Sequence, residues 1–258
     1  MSLIITEVRN TTGVIILDRP KVNALSQELV DEIIAALAEM QRQHLRAVIL
    51  RAHPGVKVFS AGHEVAELPL NGRDPLTYSD PLRRLIRALQ LHTCPVIAMV
   101  EGTVWGGACE MVMCCDLVVA ADDTTFAITP AKLGVPYNIS GVLNLMRVAS
   151  LPLIKEMLFT ARPIGAERLR ESGVIGHVLP RDEIEAFTFD LAAQIGDVSP
   201  LVVRILKEEL RILSAARPIV PEAYERIQSL RREIYDSKDY QEGIQAFFER
   251  RPPAFQGK

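Results

Sequence analysis

The sequence predicts an α/β fold followed by an α-helical C-terminal region, and three observations carry that prediction. Short apolar runs alternate with helix-period segments through the first two thirds of the chain. Past about Pro152 the pattern turns helical. Two glycine turns, Ser60-Ala61-Gly62 and Gly106-Gly107, each come shortly after an apolar run, and the second opens a helix. Alternation of this kind marks βαβ units with right-handed crossovers.

Taken in order, Ile4 to Asp18 reads as a hairpin: Ile4-Ile5, a polar turn at Asn10-Thr11-Thr12-Gly13, then Val14 to Leu17. Ser26 is an N-cap for a helix whose apolar residues Leu29, Val30, Ile33, Ile34, Leu37 and Met40 recur at helical spacing. Leu45 to Leu50 reads as a buried strand, and Asn71-Gly72-Arg73-Asp74-Pro75 as a mobile loop. Asp80 and Pro81 start a helix bearing Leu82, Leu85, Ile86 and Leu89. Pro95 to Val100 suits a fully buried strand, and Ala108 to Met113 a helix. Strands at Asp116 to Ala121 and Thr124 to Ile128 follow. Later helices are expected to begin near Pro152, Gly165, Asp182, Ser199-Pro200, Pro221 and Asp239. Ser199 and Pro200 form an N-cap and N1 pair, and Asp239 with Glu242 resembles a capping box. The expected organisation is a β/α core over residues 1–195 and a helical region over 196–258.

Composition narrows the function classes. Of 258 residues, 48% are apolar, enough for a sizeable core, and the formal charge of −3 gives no basic footprint for nucleic acid. No apolar run approaches the length of a membrane span, and no charged-then-apolar leader opens the chain. The expectation is a cytoplasmic protein with neither membrane nor nucleic acid as partner. Cys94, Cys109, Cys114 and Cys115 crowd into one segment without paired C-x-x-C spacing or added histidines. They read as small buried apolar residues, and no metal site is expected.

The chemistry lies at the glycine turns. The first N–H groups of a helix lack intrahelical partners and favour negative charge, and glycine lets a ligand approach the backbone without meeting a Cβ. The two turns can aim one N–H each, from His63 and Gly107, at a single oxygen. Around them run Arg19-Pro20-Lys21-Val22-Asn23-Ala24-Leu25, Phe59-Ser60-Ala61-Gly62, Val100-Glu101-Gly102 through Gly106-Gly107-Ala108-Cys109-Glu110, and Cys115-Asp116-Leu117. In order and spacing these resemble the crotonase (enoyl-CoA hydratase/isomerase) superfamily. The resemblance implies a crotonase-like ββα superhelix core and a C-terminal trimerisation region, giving a homotrimer or a dimer of trimers. It also implies an acyl-CoA thioester substrate, with coenzyme A as part of that substrate and no separate cofactor. His63 and Gly107 would hold the thioester enolate oxygen through backbone N–H groups, the imidazole taking no part.

Hydratases of that superfamily use two glutamates. Glu110 matches the first, while Pro130 holds the position of the second, and proline cannot exchange a proton. The stretch Thr129-Pro130-Ala131-Lys132-Leu133-Gly134-Val135-Pro136-Tyr137-Asn138 resembles instead the methylmalonyl-CoA decarboxylase group of the superfamily, as does Tyr235 to Gly243. That resemblance implies loss of CO2 from methylmalonyl-CoA, with the thioester as electron sink. Tyr137 would orient the carboxylate or relay a proton, and Thr129 would hydrogen-bond the same carboxylate. Glu110 would be a supporting residue, paired with Arg83 or Arg87. By resemblance the Ala61 backbone would meet the adenine, with Val22 and Leu25 nearby, Lys21 near a phosphate, and Gly62, Gly106 and Pro130 close to the substrate. Two rival readings remain. One is another crotonase-type reaction with Glu110 as a lone acid/base. The other is a non-catalytic scaffold, against which Gly62, Gly106 and Gly107 argue.

Overall fold

Strands β1 (Ile4–Arg9) and β2 (Thr12–Leu17) open the computed structural model, which describes residues 2–68, 78–214 and 221–256, the side chains of Ala223 and Ile227 excepted. They pair antiparallel around Asn10-Thr11, where Asn10 takes a φ of 55°. The turn is shorter than the four polar residues suggested, because Thr12 and Gly13 already pair with Arg9 and Val8. Helix α1 (Gln27–Arg42) starts at Ser26, whose Oγ accepts from the Leu29 N–H at 3.3 Å. Strands β3 (Ala47–Ala52) and β4 (Val58–Ser60) follow, then a 3-10 turn at Val65–Glu67. Helix α2 (Pro81–Leu91) is capped by the Asp80 carboxylate, which accepts from the N–H groups of Leu82 and Arg83. The loop expected at residues 71–75 lies outside the described residues.

Next come β5 (Val96–Val100), β6 (Thr103–Trp105), α3 (Gly107–Met113), β7 (Leu117–Ala121), β8 (Thr125–Ala127) and a second 3-10 turn at Pro130–Leu133. The remainder is α4 (Ile139–Val148), α5 (Leu151–Thr160), β9 (Ile164–Gly165), α6 (Ala166–Glu171), β10 (His177–Leu179), α7 (Arg181–Gly196), α8 (Pro200–Ser214), α9 (Pro221–Tyr235) and α10 (Lys238–Glu249). Two of these correct the expectation of an all-helical end: β9 and β10 are short strands that close the edges of sheets built earlier. The expected capping box also fails. Ser237 caps α10 by accepting from the Tyr240 N–H at 3.1 Å, and Asp239 sits inside the first turn. Glu242 binds Arg251 and the Ala254 N–H instead.

The larger sheet runs β1-β2-β3-β5-β7-β10 and is parallel beyond its first pair. Both faces are covered over β2, β3, β5 and β7, which is why those inner strands read as mostly apolar runs, while the edge strand β1 is largely exposed. Val48 and Leu50 of β3 face the main core with α1 and α2, while Ala47 and Ile49 face Ile184 and Ala192 of α7. The smaller sheet, β4-β6-β8-β9, carries the ends of the two glycine turns.

The C-terminal helices attach at two points. Lys207 of α8 donates to the carbonyls of Leu89 and Cys94, each at 3.1 Å, and to the Asp116 carboxylate at 2.7 Å. Leu201, Val202, Ile205, Leu206, Leu210 and Leu213 on the same helix stay exposed. Helix α10 crosses the second 3-10 turn, backbone against backbone. A Cβ on Gly243 would lie 2.1 Å from the Leu133 carbonyl oxygen, and one on Gly134 2.7 Å from that of Asp239. Tyr235, Tyr240 and Ile244 join Leu68 and Val135 in a small core beside this crossing. Among the described residues no single helix is long and apolar enough to cross a membrane. The four cysteines are free; Cys94, Cys109 and Cys115 are buried, and burial pushes the thiols of Cys94 and Cys109 up to about 12.

Candidate active site

Parallel pairing of β4 with β6 brings the two glycine turns together. Gly62 has a φ of 84° and Gly106 a φ of 54°, a region that glycine enters without strain. The approach is closer than any side chain permits. A Cβ on Gly62 would lie 2.4 Å from the Trp105 carbonyl oxygen and 2.9 Å from the Gly107 nitrogen. Neither the His63 nor the Gly107 N–H donates to a protein acceptor among the described residues. Two N–H groups without a protein acceptor among the described residues thus sit one on each of two touching turns, an arrangement that suits a shared anionic oxygen.

The stretch from Arg19 to Leu25 staples the first turn in place. The Leu25 N–H donates to the Gly62 carbonyl (2.7 Å), and the Ala61 N–H to that of Val22 (2.8 Å). Asn23, at a φ of 46°, donates its side-chain amide to the Phe59 carbonyl and accepts from the Arg19 N–H. Ser60 donates to the Asn23 carbonyl and accepts from the Gly62 N–H. Arg19 pairs with Glu64 at 2.6 Å. Leu25 therefore meets the turn through its backbone while its side chain is buried in the core; Lys21 is exposed with a φ of 74°.

Beside the paired turns lies a cavity of about 70 Å³. Ala61, His63, Gly106, Gly107, Glu110, Thr129, Pro130, Tyr137 and Asn138 line it. Leucines and valines, among them Leu82, Leu133 and Val135, complete the wall. Lys21, Val22, Leu25 and Gly62 do not line this cavity.

The polar groups at the cavity are few and mostly engaged. Glu110 is buried; one carboxylate oxygen pairs with Arg83, and the other accepts from the Asn144 amide at 2.9 Å. Arg83 also donates to the Ser140 hydroxyl at 3.0 Å. Arg87, the alternative partner, lies over the Tyr78 ring at 3.9 Å. The Tyr137 hydroxyl is buried, beside Glu110, and makes no hydrogen bond within 3.5 Å among the described residues. Burial, then the Glu110 charge, holds its pKa well above the ordinary range, so it stays protonated. Burial lowers the pKa of His63, leaving a neutral imidazole. Its Nε2 is 3.8 Å from the Asp80 carboxylate, beyond hydrogen-bond reach. Among the described residues no group of three or more His, Cys, Asp or Glu is placed to hold a metal ion.

Sequence reading missed the elements behind Tyr137. Asn138 caps α4 by accepting from the Gly141 N–H, and a Cβ on Gly141 would lie 2.6 Å from the Tyr137 ring and 2.8 Å from the Glu110 carboxylate. The signal was Asn138 three residues before Gly141, an N-cap spacing masked by a glycine that disfavours a helix. The assembled site offers two donors for one oxygen, an apolar surround and protonated hydroxyls, but among the described residues no carboxylate free to move a proton.

The enoyl-CoA hydratase/isomerase family model matches residues 7–258. Methylmalonyl-CoA decarboxylase of Escherichia coli strain K12 is 50% identical over 237 residues, covering 92% of this chain and 91% of the relative. Carnitinyl-CoA dehydratase of E. coli strain SMS-3-5 is 33% identical over 250 residues, covering 95% and 94%. A crystal structure of methylmalonyl CoA decarboxylase complexed with 2S-carboxypropyl CoA superposes with a TM-score of 0.98 at 47% identity, covering 100% of this chain and 99% of that one. A match running from β1 to the C-terminus, over a fold whose glycine turns supply the paired donors, places this chain in the enoyl-CoA hydratase/isomerase (crotonase) family.

Proposed function

We propose that this chain decarboxylates methylmalonyl-CoA to propanoyl-CoA and CO2. One observation carries the reading: the paired N–H groups of His63 and Gly107 open onto a cavity whose only carboxylate among the described residues, Glu110, is neutralised by Arg83. Pro130 also lines the cavity, and proline cannot serve as a second proton-transferring group. The likeness to methylmalonyl-CoA decarboxylase supports it.

The reaction follows from these groups. The bond between the α carbon and the carboxylate breaks, CO2 departs, and the electron pair passes through the α carbon to the thioester oxygen. The two backbone donors stabilise that oxygen as charge develops; one such donor is commonly worth about 3 kcal/mol. Tyr137 and Thr129 donate to the carboxylate and turn its C–C bond perpendicular to the thioester plane, where overlap with the carbonyl is greatest. No base is required for that cleavage; the enolate then takes up one proton at its α carbon, supplied by solvent water, which completes propanoyl-CoA. The thioester is the electron sink, so coenzyme A enters as part of the substrate and no other cofactor is used. Ala61 lies by the adenine, with Val22 and Leu25 near it and Lys21 by a phosphate. The 196–258 region mediates assembly into a homotrimer or a dimer of trimers, a role supported by the exposed apolar side chains of α8. The site of action is the cytoplasm.

The rival reading, isomerisation or hydration with Glu110 as acid/base, requires a carboxylate released from both Arg83 and Asn144. Purified protein given methylmalonyl-CoA should release CO2 and form propanoyl-CoA stoichiometrically. Turnover of enoyl-CoA substrates without CO2 release from methylmalonyl-CoA overturns the proposal.

A further inference from the structure

Arg83 separates two cavities. Glu110 lines the acyl cavity, whereas Arg83 lines a second one of about 700 Å³ between α2, α4 and α9. The guanidinium groups of Arg83, Arg87 and Arg147 line it together with that of Arg231, which is engaged elsewhere, and among the described residues no carboxylate lines it. Arg83 is buried and its Nε–H donates to nothing among the described residues. Arg87 and Arg147 form no ion pair among the described residues. Arg87 lies over Tyr78, and Arg147 donates only to the Asn144 side-chain oxygen, at 3.2 Å. Like charges gathered in one cavity repel one another, and a buried donor without an acceptor costs free energy. A guanidinium fork fits the paired oxygens of a carboxylate or phosphate, and several forks facing one space suit an anion.

We infer that this second cavity is a binding site for a small oxyanion of the carboxylate or phosphate type, held by Arg83, Arg87 and Arg147. The site is distinct from the acyl cavity, and its case does not depend on the reaction proposed above. An anion engaging the spare Arg83 donor shares the guanidinium that holds Glu110, and Asn138 lines both cavities.

The test is binding by the full chain, read by calorimetry and by melting temperature. Inorganic phosphate and succinate serve as probes, with chloride at matched ionic strength as the control. The expected result is saturable binding of phosphate, succinate or both at one site per chain, with a rise in melting temperature that chloride does not give. Response to one probe alone assigns the site to that chemistry. The double variant Arg87→Gln/Arg147→Gln should weaken binding at least tenfold while folding normally, since it removes repulsion. If the double variant fails to fold, Arg147→Gln alone, at an exposed position, should still weaken binding severalfold. Phosphate binding that is unchanged in the folded variant, as would occur at a coenzyme A phosphate site, overturns the inference. So does the absence of saturable binding, or stabilisation that tracks protein concentration, which assigns the arginines to contact with a second copy.

Discussion

The Tyr137 hydroxyl is protonated, buried and without a hydrogen bond among the described residues, the state of a donor awaiting an acceptor. Its neighbour Glu110 is in the opposite condition, with both oxygens occupied. With methylmalonyl-CoA as substrate, Tyr137→Phe should therefore lower kcat while leaving KM nearly unchanged. A hydrogen bond to a charged group is worth about 1.5–3 kcal/mol, which is about ten- to a hundredfold in rate. Glu110→Gln should cost less in kcat but more in stability, because it strands the Arg83 charge. Breaking a buried pair costs about 3–5 kcal/mol, or on the order of 10 °C in Tm for a chain of this size. A stable Glu110→Gln protein slower than Tyr137→Phe would make Glu110 the working acid/base. His63 is treated differently: His63→Ala keeps the backbone N–H, so turnover should fall by less than about tenfold. Loss of several orders of magnitude in steady-state rate would make the imidazole catalytic.

The glycine turns act as elements rather than as single residues. Gly62→Ala places a Cβ against the Trp105 carbonyl and the Gly107 nitrogen at a φ of 84°, so it forces the two turns apart. The expected result is a folded protein whose kcat is lower by about a hundredfold or more, the scale of losing one oxyanion donor. Circular dichroism beside the kinetics checks it, and near-normal turnover would refute the shared hole. These turns were legible in the sequence because each follows an apolar run and Gly106-Gly107 directly precedes a helix-period segment. The caps at Ser26 and Asp80 were legible for the same local reason. Helix α4 was not. Gly141 and Asn144 are poor helix formers, and what selects them is contact with Tyr137 and Glu110, groups distant in sequence. Strands β9 and β10 escaped notice because at two and three residues they are too short to show a period.

At the scale of the whole molecule, two histidines link stability to pH. Burial lowers the pKa of both His63 and His92, outweighing the carboxylates near the first and the backbone carbonyls near the second. The unfolded chain then takes up protons near the ordinary histidine value of about 6.5, while the folded chain does so only at lower pH. Stability is thus fully present above about pH 6.5 and is lost as pH falls from there toward the folded values, by at most about 1.4 kcal/mol per pH unit for each histidine. Melting curves from pH 8 down to pH 5 should show this, and His63→Ala should flatten part of the slope; an unchanged slope would remove His63 from the account. The crossing of α10 over the second 3-10 turn has a consequence for descent and for engineering. Where Gly243 meets the Leu133 carbonyl and Gly134 meets Asp239, no side chain intervenes that a compensating substitution could resize. The tail and the segment bearing Thr129 and Pro130 must therefore be inherited together. A chimera that grafts a relative's tail onto this chain will assemble only where the donor keeps glycine opposite Leu133; any other residue there should be recovered in selection only alongside a shortened or rerouted turn.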